Sequence, residues 1–237
     1  MTKDIRSQTA AVIPAYQDEK HIGDIARRTR EHLDHVLVVD DGSTDQTAEG
    51  AREAGAEVVV HPENRGKGEA IKTGLAHWFA APNQVTSGPD RQITWAVLLD
   101  SDGQHLPEAI DCFVAAAASA RRPTFFIGNR MNNVTGMPFI RRVANRYMSK
   151  EISRVCEQDI PDTQCGFRMV DRQLATHLRG GGHRFDYDTE MLIIASRTGY
   201  QIESVSITTV YTDQVSTIHP FRDALRFFNL MRRYRNL

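Results

Sequence analysis

Val97-Leu98-Leu99-Asp100-Ser101-Asp102-Gly103-Gln104-His105 is the stretch on which the fold turns. A short apolar run stops abruptly at two carboxylates one residue apart. Leu98 and Leu99 read as the buried end of a strand covered on both faces. Asp100 and Asp102 then stand where that strand meets solvent. In an open α/β sheet, ligands gather at the carboxyl ends of strands. Two carboxylates crowded there repel each other unless a cation joins them. Mg²⁺ or Mn²⁺ suits such a place, because these ions take few protein oxygens and complete their shell with waters and substrate phosphates. Gln104 offers a further neutral oxygen. A solvated turn would carry the same acids, and the flanking chain decides between the two.

Upstream, Thr9 to Ile13 reads as a strand closed by Pro14-Ala15-Tyr16. A helix is expected from about Glu19 to Leu33, with Ile22, Ile25 and Ala26 at helical spacing. His35 to Val39 is a second buried strand, ending in Asp40-Asp41-Gly42-Ser43-Thr44-Asp45. Ser43 or Thr44 can cap a helix to about Ala54. Glu57 to Val60 is a third strand, followed by Asn64-Arg65-Gly66-Lys67-Gly68 and a helix from Glu69 to about Phe79. Strands and helices alternating at this interval predict βαβ units and a mainly parallel sheet. Pro82 to Gln92 reads as a surface loop, and Thr94 to Leu99 as the strand that delivers the acids.

Downstream, Pro107 opens a helix that runs through Ala115 to Ala118. Phe125 to Gly128 is a fifth strand ending in Asn129-Arg130. The second half is less regular. A helix is expected over Pro138 to Arg154, then the loop Asp162 to Arg168 entering a short strand, a helix over Asp188 to Thr198, and a strand over Gln201 to Val210. Phe221 to Tyr234 reads as a terminal helix. The expected fold is α/β, a Rossmann-like, mainly parallel central sheet flanked by helices, in a single domain over residues 1–237.

Composition narrows the function classes. The 237 residues are 41% hydrophobic and 25% charged, with a formal net charge of -1. A broad nucleic-acid surface is not indicated. Cys112, Cys156 and Cys165 are too few and too scattered for a disulfide framework or a zinc site, so a reducing compartment fits. The first residues are polar and lack an apolar signal core. No segment reaches the length of a bilayer span. The expected location is the cytoplasm, soluble or held peripherally on the cytoplasmic face of a membrane. The terminal helix pairs apolar Phe221, Leu225, Phe228, Met231 and Tyr234 with arginines, so it can lie on an anionic membrane or pack on the domain. The sequence leaves the oligomeric state open.

The other strand ends carry candidate ligands, each with a purely structural reading beside it. Asp40 and Asp41 can accept hydrogen bonds from a base or ribose, or simply make a capping turn. Gly66-Lys67-Gly68 can cradle a phosphate, or serve as a flexible helix entry. Arg130 suits bidentate phosphate binding, and Arg141 and Arg142 follow; surface charge explains any one of them as well. Asp186, Asp188 and Glu190 favour a helix start, which is also where a catalytic base facing the strand ends would stand. The sequence has no H-x-x-x-H pair, and no G-x-S-x-G supports a serine hydrolase.

Taken together, VIPAY at Val12 to Tyr16, VVDDGSTD at Val38 to Asp45, NRGKG at Asn64 to Gly68 and LDSDGQH at Leu99 to His105 resemble a family 2 glycosyltransferase with the GT-A fold. GNR at Gly128 to Arg130 and DTQCGFR at Asp162 to Arg168 resemble the branch that moves a sugar to a polyprenyl or dolichyl phosphate. The resemblance implies an inverting hexosyltransferase, with residues 1–104 holding the nucleotide sugar and 105–237 the acceptor. GDP-mannose and UDP-glucose are the implied donors, Mg²⁺ or Mn²⁺ the implied cofactor, and a lipid phosphate the implied acceptor. Pro14, Tyr16, Asp18, Val39, Asp41, Lys67 and Ser101 would contact the donor. Asp100, Asp102 and Gln104 would hold the metal. Arg130 would bind the donor or acceptor phosphate and, with Asp102 and Asp188, belong to the catalytic set; Arg141 would bind the acceptor phosphate, and Asp188 would act as base or orient the acceptor. Asp18 stands where the family usually has glutamate, and Tyr211 to His219 is poor in basic residues. A sugar nucleotidyltransferase would carry a glycine- and basic-rich stretch after the first strand, where this chain has Pro14-Ala15-Tyr16-Gln17. A non-catalytic sugar-nucleotide binding module would not need the paired acids.

Overall fold

The computed structural model describes residues 2–79, 93–132, 137, 139–179, 186–209, 232 and 234. Seven strands form one sheet in the order β3-β2-β1-β4-β6-β5-β7. They are β1 (Thr9–Ala15), β2 (His35–Asp40), β3 (Glu57–Val60), β4 (Trp95–Leu98), β5 (Thr124–Asn129), β6 (Arg168–Asp171) and β7 (Gln201–Ser206). The helices are α1 (Thr2–Ser7), α2 (Ile22–Arg30), α3 (Thr47–Glu53), α4 (Lys67–Phe79), α5 (Ile110–Ser119), α6 (Phe139–Cys156), α7 (Arg172–Leu178) and α8 (Asp186–Arg197).

The strands are apolar because both faces are covered. β1 is buried at all seven positions, and Val36 to Val39 of β2 are buried as well. β1 pairs in parallel with β2 on one side and β4 on the other, and β3 extends the sheet beyond β2 in parallel. The chain therefore leaves β1 in opposite directions across the sheet, which makes a crevice at the β1–β4 boundary.

The expected second half is less regular, yet it completes the same sheet. β6 runs antiparallel to both β4 and β5, with Leu98 opposite Arg168, and β5 pairs in parallel with β7. The carboxyl ends of β1, β2, β4, β5 and β7 thus share one edge with the start of β6. That reversal brings the loop Asp162 to Arg168 to the same edge as the paired acids.

Boundaries shift for local reasons. α3 begins at Thr47 rather than Ser43 or Thr44, because Asp40 accepts from Ser43 N at 2.9 Å and Asp45 accepts from Thr47 N at 3.1 Å, holding a turn between them. A 3₁₀ turn, Pro107–Ala109, precedes α5. Two helices go beyond the sequence reading. α1 covers the polar start of the chain, and α7 is capped by Asp171, which accepts from Leu174 N at 2.6 Å. The loop Pro82 to Gln92, the loop Tyr211 to His219 and most of the terminal helix lie outside the described residues. Tyr234 donates to Glu190 Oε1 of α8 at 3.2 Å, and the guanidinium of Arg197 lies 5.0 Å over its ring. No helix among the described residues is long and apolar enough to cross a membrane.

Candidate active site

The paired acids stand where the sequence places them, directly after β4. Lys67, the first residue of α4, lies between two carboxylates from distant parts of the chain. Its Nζ is 2.7 Å from Asp100 Oδ1 and 3.0 Å from Asp188 Oδ2 in the first turn of α8. Burial alone would lower the Lys67 pKa, but Asp100 and Asp188 outweigh it and hold the ammonium above its usual range. Burial alone would raise Asp100, but Lys67 first and then His105 hold its carboxyl well below the usual range. Asp102 behaves in the opposite way. Burial, then the charge of Asp100, push its carboxyl up.

Asp100, Asp102 and Asp188 bring three carboxylates to this corner against the one ammonium of Lys67, so negative charge is in excess. That excess fits a divalent cation held by Asp100 and Asp102, with Gln104 beside them; Gln104 N donates to Asp102 Oδ1 at 2.9 Å. Among the described residues no third acid, histidine or cysteine completes a metal cluster. Mg²⁺ needs none, since it is commonly bound by one or two carboxylates plus substrate phosphates.

His105 forms the floor of this corner. It is buried, with Nδ1 3.7 Å from Asp100 Oδ2 and without a hydrogen-bond partner. Its Nε2 lies 3.6 Å from Cys165 Sγ. Burial drives the imidazole pKa down to about 4 and the Cys165 thiol up to about 12.

The loop Asp162 to Arg168 is the back wall. Gly166 approaches so closely that a Cβ there would lie 2.3 Å from Asp100 Oδ2. Thr163 N donates to Ser149 Oγ of α6 at 3.0 Å. Arg168, fully buried at the start of β6, donates Nε to Cys165 O at 2.9 Å and Nη2 to Thr163 O at 3.2 Å. Its Nη1 donates to the backbone carbonyl of Asp188 and lies 3.8 Å from that residue's Oδ1. The loop thus links the acidic tip of β4 to the start of α8.

Arg130, expected to face a phosphate, is turned inward. It is 3% exposed, and its fork is taken by fully buried Asp162, Nε to Oδ2 at 2.7 Å and Nη2 to Oδ1 at 3.0 Å. Arg141 lies half-buried in the first turn of α6. Asp41 also has protein partners. Its carboxylate accepts from Arg65 N at 3.0 Å and Gly66 N at 2.7 Å, and pairs with His61 Nδ1 at 2.7 Å. Gly42 makes this approach possible. Its φ is +79°, and a Cβ there would meet the carbonyl carbon of Glu63 at 2.6 Å. The DDGS and NRGKG stretches are therefore one unit, which delivers Lys67 to the acids.

The remaining donor candidates line the β1 side. Tyr16 is half exposed at the tip of β1, whereas Pro14 is enclosed in that strand. Val39 is fully buried in β2, so it offers a ligand its backbone only. Ser101 is buried beside the acids. Asp18 Oδ1 lies 2.6 Å from His21 Nδ1. Sequence reasoning missed His61, the Arg168 brace and the Arg130–Asp162 pair. All three depend on partners distant in the chain, which no local pattern reveals.

This sheet, with its acidic tip at the end of β4, has the GT-A fold of glycosyltransferases. The chain belongs to glycosyl transferase family 2, whose model matches residues 10–179. The UDP-N-acetylglucosamine–dolichyl-phosphate N-acetylglucosaminyltransferase of Methanococcus voltae is 27% identical over 227 residues, spanning 85% of this chain and 85% of that protein. The dolichyl-phosphate beta-glucosyltransferase of Mus musculus is 28% identical over 231 residues, spanning 84% of this chain and 66% of that protein. Among solved structures, glucosyl-3-phosphoglycerate synthase from Mycobacterium tuberculosis, in complex with Mg²⁺ and UDP, matches with a TM-score of 0.68 at 19% identity, over 99% of this chain and 83% of that one. That likeness establishes the fold.

Proposed function

We propose that this glycosyltransferase moves a hexose, with inversion, from a nucleotide diphosphate sugar to a polyprenyl or dolichyl phosphate. The observation that carries the reading is the convergence of Asp100, Asp102, Lys67 and Asp188 at the carboxyl end of β4. Relatives named for dolichyl-phosphate transfer support the acceptor class. A structure of the fold neighbour with Mn²⁺ and UDP-glucose supports the donor and the cation. UDP-glucose leads among the donors, with GDP-mannose the runner-up.

Asp100 and Asp102 would hold Mg²⁺ or Mn²⁺, with Gln104 adjacent. Bound there, the ion would neutralise charge on the leaving diphosphate. Lys67 would add a fixed cation on the same side, stabilising charge that grows as the nucleotide departs. Tyr16, Asp18, Ser101 and the Asp41-held loop would seat the nucleotide. Arg141 would meet the acceptor phosphate. Arg130 would act through Asp162, keeping the back wall in place.

Asp188 faces the acids as a base would, and this favours a second reading in which the acceptor is a hydroxyl. A phosphate acceptor is already ionised at neutral pH and needs only orientation. Asp188→Asn separates the two. A loss of a few-fold in kcat fits phosphate, and a loss of roughly 10²–10⁴-fold fits a hydroxyl acceptor. The direct test incubates the protein with UDP-glucose, UDP-N-acetylglucosamine or GDP-mannose, Mn²⁺ and polyprenyl phosphate. A glycolipid that disappears with Asp102→Ala supports the proposal. Equal transfer by that variant overturns it.

A further inference from the structure

α6 turns an unusual face to solvent. Phe139, Val143 and Tyr147 are 77%, 50% and 49% exposed and stand four residues apart, so they form one stripe. Isolated exposed apolar residues need no explanation, but an aligned stripe marks a surface of interaction. The opposite face is spent on the fold, where Asn145, Ser149, Ile152 and Cys156 are buried and the helix packs against α8.

Charge identifies the partner. α6 carries five basic residues, Arg141, Arg142, Arg146, Lys150 and Arg154, against one acid, Glu151, which pairs with Arg154. At helical spacing Arg146, Lys150 and Arg154 fall among the stripe residues, on the outer face. An open groove of about 520 Å³ runs beside them, lined by Arg146, Lys150, Ser153 and Arg154 and also by Glu157 and Asp159. An apolar stripe with an aromatic at each end, set among cations, is the pattern of a helix that lies in the headgroup layer of a membrane. The cations would meet lipid phosphates, and Phe139, Val143 and Tyr147 would enter the acyl boundary.

We infer that α6 docks the protein on an anionic phospholipid surface. α6 begins soon after β5 leaves the edge that carries the acids, and Thr163 of the back wall bonds to its Ser149. The start of α6 therefore lies on the side of the sheet that carries the acids. The docking itself does not depend on the identity of the acceptor.

Vesicle sedimentation of the full chain tests this. Vesicles of phosphatidylcholine alone are compared with vesicles containing about 30 mol% phosphatidylglycerol. The protein should pellet with the anionic vesicles only, and less so as salt rises. Phe139→Ser, Val143→Ser and Tyr147→Ser together should lower vesicle affinity by roughly tenfold or more, with an unchanged circular dichroism melt. Arg146→Gln with Lys150→Gln should weaken the salt-sensitive part. Transfer in detergent, measured on the same variants, reads the proposed function apart from docking. Lost vesicle binding with detergent activity retained supports the inference. Three results overturn it: a wild-type protein that stays in the supernatant, a triple variant that binds like wild type, or a wild-type dimer that the triple variant dissolves, which would assign the stripe to a second copy.

Discussion

Lys67 stands where two carboxylates would otherwise repel each other, and it comes from a helix start that Asp41 holds in place through Arg65 N and Gly66 N. Removing the charge leaves Asp100 without its ammonium partner and Asp188 with only the longer contact to Arg168, at a half-buried site. Lys67→Met should therefore lower kcat/KM for the sugar nucleotide by roughly 10²–10³-fold, and Lys67→Arg should restore part of it. Steady-state kinetics on both variants checks this; an unimpaired methionine variant would remove Lys67 from the site. His105 gives a pH prediction. In the unfolded chain a histidine protonates near 6.5, and here only near 4. The unfolded state therefore binds the proton first, so stability is full above 6.5 and falls as pH drops from 6.5 to 4. The full loss is about 3 kcal/mol. Urea unfolding in chelator across that window should show the slope in wild type and not in His105→Gln. Buried Asp162 acts at lower pH. Burial opposes its ionisation, Arg130 outweighs that, and its lowered carboxyl pKa loses stability only as pH falls further.

At the scale of elements, β6 and the loop before it explain both what the sequence discloses and what it withholds. β1, β2, β3 and β4 are legible because each is a short apolar run ending in turn residues, and parallel order follows from the helices between them. The direction of β6 is not encoded in Arg168-Met169-Val170-Asp171. It follows from Leu98 pairing with Arg168, a contact across many residues of chain. α7 was within reach, since Asp171 precedes Leu174, Ala175 and Leu178 at helical spacing and all three are buried. The paired acids were legible for the same reason as β4, whereas the inward turn of Arg130 depends on Asp162. Arg168 shows what the loop does. Its guanidinium bonds to three backbone carbonyls, those of Thr163, Cys165 and Asp188. A methionine there leaves buried carbonyls unsatisfied and Asp188 without its brace. Arg168→Met should cost about 3–5 kcal/mol in urea unfolding. Arg168→Lys cannot reach all three carbonyls from one ammonium. It should fold, yet lose kcat more than it raises KM, because Asp188 is no longer held. Equal kinetics in the lysine variant would mean that Arg168 serves folding alone.

For the molecule as a whole, the decisive contact is between β4 and β6. β4 closes the half that ends in the acids, and among the described residues its free edge is covered by β6, a strand from the other half. Among the described residues β5 joins the sheet through β6, and β7 through β5, with one further bridge from Thr209 after β7 to His105 after β4. Neither half therefore has a complete sheet, and the buried residues on both sides form one continuous core. If the halves were independent domains, the edge of β4 would need another cover, and a second unfolding transition would follow. The expected outcome is a single transition, with calorimetric and van't Hoff enthalpies equal. Residues 1–104 expressed alone should fail to fold, because Ala96, Val97 and Leu98 would present an unpaired apolar edge. Donor binding should then raise the melting temperature without splitting the transition, since the ligand edge is built from strands of both halves. Two resolved transitions, or a folded 1–104 fragment, would mean that the sheet is two units placed side by side, and the shared edge would have to form after each had folded.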